Sequence, residues 1–396
     1  MARRLKVAIA GAGLGGLFTA AALARGGHQV VVVEQAEALG EVGAGIQVSP
    51  NGARLLARID ALNEIERGAF QPEAAEMRDG SSGATILHLP LGAAAEARWG
   101  APYLQVHRAD LLDALERAAR AAGAEIRLGA RIADAAARAD GAALALAGGE
   151  AVEADVLVGA DGARSTVRAA LFGPETPRYT GQTAWRGLAP ADALPPGLVR
   201  PTATVWVGPG RHLVTYYLRR GALVNVVAVA EKPVWDEEGW STRGDLDALR
   251  GAFAGWAPGA TGILDALEEC WLWGLFDRPP LPAWSKGRAT LLGDACHPML
   301  PFMAQGAVQA FEDGAALARR LSEGGDPAAA LSRYERDRRG RATRVQRAAQ
   351  HNARLFHARG RLERAARYGP IALGARLAPD LAMSRLDWLY GHDAAA

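Results

Sequence analysis

Residues 6–34 read KVAIAGAGLGGLFTAAALARGGHQVVVVE, and this stretch sets the architecture. Lys6–Ala10 is a short apolar run, the pattern of a buried strand. Gly11-Ala12-Gly13-Leu14-Gly15-Gly16 follows at once, and Leu17–Arg25 continues as a helix that Gly26-Gly27 stops. Gln29–Val33 is a second buried strand, and it ends in Glu34. In such a βαβ unit Gly11 permits the tight turn, Gly13 lets backbone approach a pyrophosphate, and Gly16 lets helix and strand pack closely. Glu34 stands where an acid would bind ribose hydroxyls. A lone glycine pattern is weak evidence. Strand, helix and acid in order make this a dinucleotide site, which NAD or FAD would fit.

Two later stretches repeat the theme of a carboxylate at a strand end. Val156-Leu157-Val158 leads into Gly159-Ala160-Asp161-Gly162 and a helix from Ser165; on its own, Asp161 reads equally as an Asp-Gly turn cap. Residues 289–317 read ATLLGDACHPMLPFMAQGAVQAFEDGAAL. Here a strand ends in Gly293-Asp294, a loop carries Pro298 and Pro301, and a helix begins near Gln305. Glu312 and Asp313 fall at its polar positions. In an open α/β sheet, ligands bind outside the carboxyl ends of the strands. Asp294 can accept hydrogen bonds from a polyol, and the electropositive helix start at Gly306 and Ala307 can hold negative charge.

Working outward, Gly40–Pro50 reads as a glycine-rich loop before a helix that Ser49-Pro50 opens and that runs to about Arg58. Met77–Leu89 holds two strands. Arg108–Ala122 is an amphipathic helix, and Arg108 at its start is either solvated surface or reaches a phosphate or ribityl chain. Ala142–Leu146 and Ala151–Glu153 belong to a small meander. Between Thr176 and Pro280 the chain changes character, with strand-like runs at Ala203–Val207, His212–Leu218 and Leu223–Ala230. The expected fold is therefore α/β: a Rossmann-like FAD- or NAD-binding domain in three layers around a parallel sheet, an inserted antiparallel sheet, and C-terminal helices. The boundaries fall at 1–175, 176–280 and 281–396. Arg338–Arg347 reads as a solvated basic face or an oligomer contact.

The chain has 396 residues and a formal net charge of +2, enough for two domains and giving no reason to expect nucleic acid as a partner. Cys270 and Cys296 lie in no metal-binding or redox spacing, so no metal is expected, and Cys296 reads as a small buried hydrophobe. No apolar run is long enough to span a membrane. Arg3-Arg4 faintly resembles an export signal, but cleavage there would destroy the glycine loop, so a cytoplasmic protein is expected. Assembly as monomer or homodimer stays open.

Taken in order, Gly11–Gly16, Asp161-Gly162 and Gly293-Asp294 resemble the FAD-dependent aromatic hydroxylases, single-component monooxygenases of the para-hydroxybenzoate hydroxylase type. The match runs to about Arg338. GAGIQVSPNGARLL, YTGQTAWRGL and HPMLPFMAQGA are similar to the branch holding 3-hydroxybenzoate 6-hydroxylase, 6-hydroxynicotinate 3-monooxygenase and salicylate hydroxylase. The resemblance implies that Gly11, Gly13, Leu14, Gly15 and Gly16 meet the FAD pyrophosphate, and that Glu34 and Gln35 lie at the ribose. It implies that Arg108 and Asp294 hold the pyrophosphate–ribityl region, that Gly306 and Ala307 lie by the flavin ring, and that Gln47 and Val48 line the site. Asp161 is linked to FAD and nicotinamide binding. Two departures fall where substrate should sit: Gln47 replaces a His of some relatives, and Pro301-Phe302 lacks a polar residue that several carry.

The implied chemistry is hydroxylation of a phenolic or hydroxy-heteroaromatic acid. NADH or NADPH, binding transiently, reduces FAD; dioxygen adds, and the resulting flavin hydroperoxide transfers OH to the ring. The ring is activated as a phenolate, which calls for a general base. His212 and Tyr216, four apart in a strand, face the same side of the sheet and are the candidate catalytic pair. Two aromatics packed on a sheet face are the plainer alternative. His297 reads as ordering the flavin loop, while His88, His107, His351 and His357 have no partner visible in the sequence. The rival functions are an FAD-dependent reductase or dehydrogenase on this fold, and a plain NAD-dependent dehydrogenase.

Overall fold

The computed structural model describes residues 3–40, 45–235 and 242–396. Its centre is a six-stranded sheet in the order Ser285–Lys286, Ala289–Leu291, Val156–Gly159, Lys6–Ala10, Gln29–Val33, Glu125–Arg127. All neighbours in it are parallel except the first pair. Parallel strands covered on both faces need continuous apolar runs, and Val7–Ala10, Val30–Val33 and Val156–Val158 are all buried. Helices Leu14–Arg25, Arg108–Ala121 and Gly306–Ser322 pack against this core. A three-stranded meander, Ile132–Ala137, Ala142–Leu146 and Ala151–Ala154, is attached to it.

The second sheet has eight strands: Thr242–Arg243, Trp271–Asp277, Arg178–Pro190, Leu223–Glu231, Arg211–Leu218, Thr202–Gly208, Ala74–Asp79, Thr85–Pro90. It is wider than the 176–280 segment, because Ala74–Asp79 and Thr85–Pro90 join its edge. Ala74–Asp79 pairs parallel with Thr202–Gly208, while the other pairs are antiparallel. Hydrophobic periodicity shows that a segment is a strand but not which sheet recruits it. One face of this sheet carries its own core of Trp206, Leu213, Phe253 and Trp256; the other faces the first domain.

Three readings need correction. Gly40–Pro50 is not all loop: Gly45–Val48 is a strand paired antiparallel with Leu104–His107, while residues 41–44 lie outside the described part. Ser49 does precede helix Pro50–Arg58, but its hydroxyl makes no cap bond and instead donates to Asn51 Oδ1 at 2.7 Å. Arg338, placed on a solvated basic face, is buried, as are Glu312 and Asp313. Helix Pro327–Phe356 lies on Gly306–Ser322, and a buried cation on one helix meets two buried anions on the other.

Candidate active site

The glycine loop is shaped by close approach. Gly11 has φ +97°, and a Cβ there would sit 2.6 Å from the Ala160 carbonyl oxygen, so only glycine satisfies both backbone and space. A Cβ on Gly16 would strike the Gly11 carbonyl, which is how the first helix comes to lie against the strand end. Gly13 has nothing within 4 Å of its Cβ position: it opens onto a cavity of about 580 Å³. Glu34 accepts from the Ala12 and Ala36 amides at 2.9 Å each, which holds its carboxylate beside the loop. Gln35 is exposed next to it.

The loop after strand Ala289–Leu291 forms the other side of this floor. Gly293 has φ +59°, and its amide donates to Asp313 Oδ2 at 2.9 Å. His297 Nε2 meets the same oxygen at 2.5 Å. Asp313 therefore fixes both ends of the Gly293–His297 turn, with Arg338 Nε on its other oxygen at 2.8 Å. Asp294 projects from this turn into the cavity. It is open to the cavity but recessed in the protein; burial raises its carboxyl pKa, against the pull of His297 and Arg108. Arg108 lines the same space, its own pKa lowered by burial and by Arg186. Cys296, His297 and Asp313 bring three donor atoms together, but the Asp313 oxygens are already engaged, and burial raises the Cys296 thiol well above its usual range.

Gln305, Gly306 and Ala307 begin the next helix and line the cavity. A buried polar network anchors them. Gln305 Nε2 donates to Ser49 Oγ at 2.8 Å, and Asn51 Nδ2 donates to Gln305 Oε1 at 3.2 Å and Glu312 Oε1 at 2.8 Å. Glu312 also takes Arg338 at 2.6 Å and Arg341 at 2.7 Å. Burial alone would raise its pKa; the two guanidiniums hold it down at about 2. Ala304, just before the helix, is in the left-handed region at φ 50°, a conformation costing a non-glycine residue about 1 kcal/mol. No Cβ contact lies within 4 Å at Gly306. An open helix start with unpaired amides suits a partial negative charge.

The same cavity continues under the eight-stranded sheet, where His212, Val214 and Tyr216 point into it from one strand. His212 sits edge-on to Phe302, with ring centroids 4.8 Å apart, and 5.2 Å from Phe356. Phe302 makes this wall apolar. Burial and His357 hold the His212 pKa well below its usual value, so the ring is neutral. Tyr216 keeps its proton, since burial raises its pKa against the pull of Arg186. Arg186 lines the cavity, stacks on Trp273 at 5.0 Å and forms no ion pair among the described residues. Gln47 lines the wall and accepts from the Tyr103 hydroxyl at 2.7 Å, while Val48 is buried behind it.

Asp161 behaves differently from the other expected residues. Its oxygens accept from Ser165 Oγ at 2.5 Å and the Val167 amide at 3.1 Å, which ties its side chain to the start of helix Thr166–Phe172, where Ser165 is the N-cap. Its neighbours Ala160 and Gly162 are the residues of that turn that line the cavity. Sequence reading missed Arg186, Asn51, Gln305, Glu312, Asp313, Arg338 and the His212–His357 contact. The WRG of YTGQTAWRGL was the one local signal for Arg186. The others are paired across more than a hundred residues or hidden among surface-like charges.

The residues fit FAD. Gly13, Arg108, Asp294 and the helix start at Gly306 line one cavity, and Glu34 is held beside the glycine loop by the Ala12 amide. The family model described as FAD binding domain matches residues 4–209 and 262–349. A 3-amino-4-hydroxybenzoate 2-monooxygenase of Streptomyces platensis is 39% identical over 393 residues, 99% of this chain and 97% of its own. A 6-hydroxynicotinate 3-monooxygenase of Bordetella bronchiseptica is 40% identical over 355 residues, covering 88% of this chain and 92% of its own. Among solved structures, a salicylate hydroxylase substrate complex superposes with a TM-score of 0.83 at 26% identity, covering 99% of this chain and 96% of that one. No helix among the described residues is long and apolar enough to cross a membrane.

Proposed function

The chain belongs to the FAD binding domain family, as a flavin-dependent aromatic monooxygenase, and we propose that its substrate is a benzoic or pyridine carboxylic acid carrying a ring hydroxyl. The observation that carries this reading is the single cavity joining Gly13, Asp294 and Gly306 at one end to His212, Tyr216 and Arg186 at the other. A ring lying between the two ends meets apolar walls, the His212 imidazole, the Tyr216 hydroxyl and the Arg186 guanidinium.

When bound, FAD would carry electrons from NADH or NADPH to dioxygen, one atom of which goes to the ring and the other to water. The protein does the rest. Arg186, desolvated, pairs with the substrate carboxylate, an interaction strengthened by exclusion of water. His212 Nε2 takes the proton of the ring hydroxyl, which raises electron density at the attacked carbon. Tyr216, always protonated, donates to the same oxygen and orients it. The helix start at Gly306, which lines the cavity, would favour negative charge on a reduced cofactor held there. Leu300, Phe302, Met303 and Phe356 exclude water from the reacting centre.

The test is a screen of hydroxybenzoates, aminohydroxybenzoates and hydroxynicotinates for stimulated NAD(P)H oxidation, with dioxygen uptake and product analysis. A true substrate consumes one dioxygen per NAD(P)H and yields a product with one oxygen added to the ring, with or without release of carbon dioxide. Oxidation of NAD(P)H without a hydroxylated product across the panel would point instead to a reductase.

A further inference from the structure

We propose that His357 and Glu231 extend the base at His212 into a proton path from the buried cavity to the protein surface. This rests on the reading of His212 as the group that takes the substrate proton. His212 Nδ1 lies 2.7 Å from His357 Nε2, and His357 Nδ1 lies 3.2 Å from Glu231 Oε1. Glu231 Oε2 pairs with Arg359. The two rings are buried, whereas the Glu231 side chain is 32% exposed and that of Arg359 71%. Glu231 and Arg359 line a second, open depression with Pro209, Gly210 and Arg211. The chain of contacts thus begins in one cavity and ends in another, on the outside of the sheet.

The hydrogen bonds set the tautomers. Glu231 is a carboxylate that accepts, so His357 Nδ1 carries the hydrogen and His357 Nε2 accepts. His212 Nδ1 must then donate, which leaves His212 Nε2 as a lone pair. That nitrogen has no partner among the described residues, and the ring lines the cavity. His212 is poised to accept from the cavity side and donate on the other.

The need for an outlet is physical. A charged imidazolium between Phe302 and Phe356 would be poorly solvated. The charged groups facing the pair are Glu231 and Arg359, both at the outer end, since Arg211 turns to the Ala252 carbonyl. Transfer therefore runs outward. The substrate O–H breaks as N–H forms at His212 Nε2. The Nδ1 proton moves to His357 Nε2, and the His357 Nδ1 proton moves to Glu231, which releases it to water. No net charge stays on either ring. When the product oxygen recovers a proton on rearomatisation, the reverse passage restores both tautomers.

The experiment follows phenolate formation by ultraviolet absorbance on rapid mixing of oxidised holoenzyme with 3-amino-4-hydroxybenzoate, without NAD(P)H, so no turnover is involved. His357→Gln and Glu231→Gln should each slow the phenolate signal tenfold or more while FAD binding is unchanged. Glu231→Ala should recover with added formate, which a packing defect would not. Glu231 is at the surface, so its variants keep the test valid if His357→Gln fails to fold. Wild-type phenolate rates in both Glu231 variants, with a slow His212→Ala, would overturn the path and leave His212 as the base. A wild-type rate in His212→Ala would overturn the reading of His212 and the path with it.

Discussion

Arg338 Nε lies 2.8 Å from Asp313 Oδ1, and neither side chain reaches solvent. The same guanidinium meets Glu312 at 2.6 Å. One residue of helix Pro327–Phe356 thereby pairs with both carboxylates that anchor the Gly293 turn and the start of the next helix, with Arg341 as the second cation on Glu312.

Removing that cation while keeping its bulk, as in Arg338→Leu, leaves Asp313 buried with no guanidinium and Glu312 with Arg341 alone. The expected loss is about 3–5 kcal/mol at neutral pH. Its pH dependence has a definite sign. In the wild type Glu312 titrates at about 2, below its ordinary 4.5. Its pairing thus contributes fully above that ordinary value and is lost as pH falls towards 2. In the variant the carboxyls bind protons more tightly, so its deficit shrinks on acidification. Denaturant unfolding of the holoenzyme at pH 7 and pH 4 measures this. A deficit equal at both pH values would show that the cluster acts through packing rather than charge.

This cluster also marks where sequence reading stops. GAGLGG, the Val156–Val158 run and GDACHP were legible because strand, turn and helix follow each other locally, and glycine chemistry at Gly11 and Gly293 is a local matter. His212 and Tyr216 could be placed on one face because the strand period is two. Glu312, Asp313 and Arg338 look like surface charges in any window, since each helix alone has no way to show that the other buries it. His357 is 145 residues from its ring partner. Two strands were legible within Met77–Leu89, but that the first begins at Ala74 and pairs parallel with Thr202–Gly208 depends on tertiary packing.

Asp294→Ala should weaken FAD binding. The carboxylate stands in the cavity between the glycine loop and the Gly306 helix start, where a cofactor hydroxyl would donate to it. A hydrogen bond to a charged group is worth about 1.5–3 kcal/mol, or roughly ten- to a hundredfold in Kd. Flavin fluorescence titration of the apoprotein reads the change. Equal affinity in variant and wild type would remove Asp294 from the cofactor site.

Arg186→Met should raise KM for a carboxylate-bearing substrate by roughly ten- to a hundredfold, since a charge-assisted pair is lost. KM for the corresponding carboxamide, already weak, should hardly move, and FAD affinity should stay the same. Steady-state kinetics with the matched acid and amide separates the two. An equal rise for both would mean that Arg186 shapes the wall instead of binding the acid.

His212→Ala should leave FAD binding and NAD(P)H oxidation largely intact while hydroxylation fails. The reason lies in the division of labour across the cavity. The groove proposed for the cofactor comprises the glycine loop, the Gly293 turn and the Gly306 helix start, whereas the His212 ring packs on Phe302, Phe356 and His357. Electron delivery to dioxygen therefore continues. What is lost is the acceptor for the ring proton, and Tyr216 cannot replace it, because burial keeps its own proton in place. Loss of a general base typically costs about a hundredfold or more. Under saturating substrate, product per NAD(P)H should fall by that order and hydrogen peroxide should rise to match the NAD(P)H consumed. Coupling and rate at the wild-type level would show that His212 only fills the space between Phe302 and Phe356, and that the substrate proton leaves by another route.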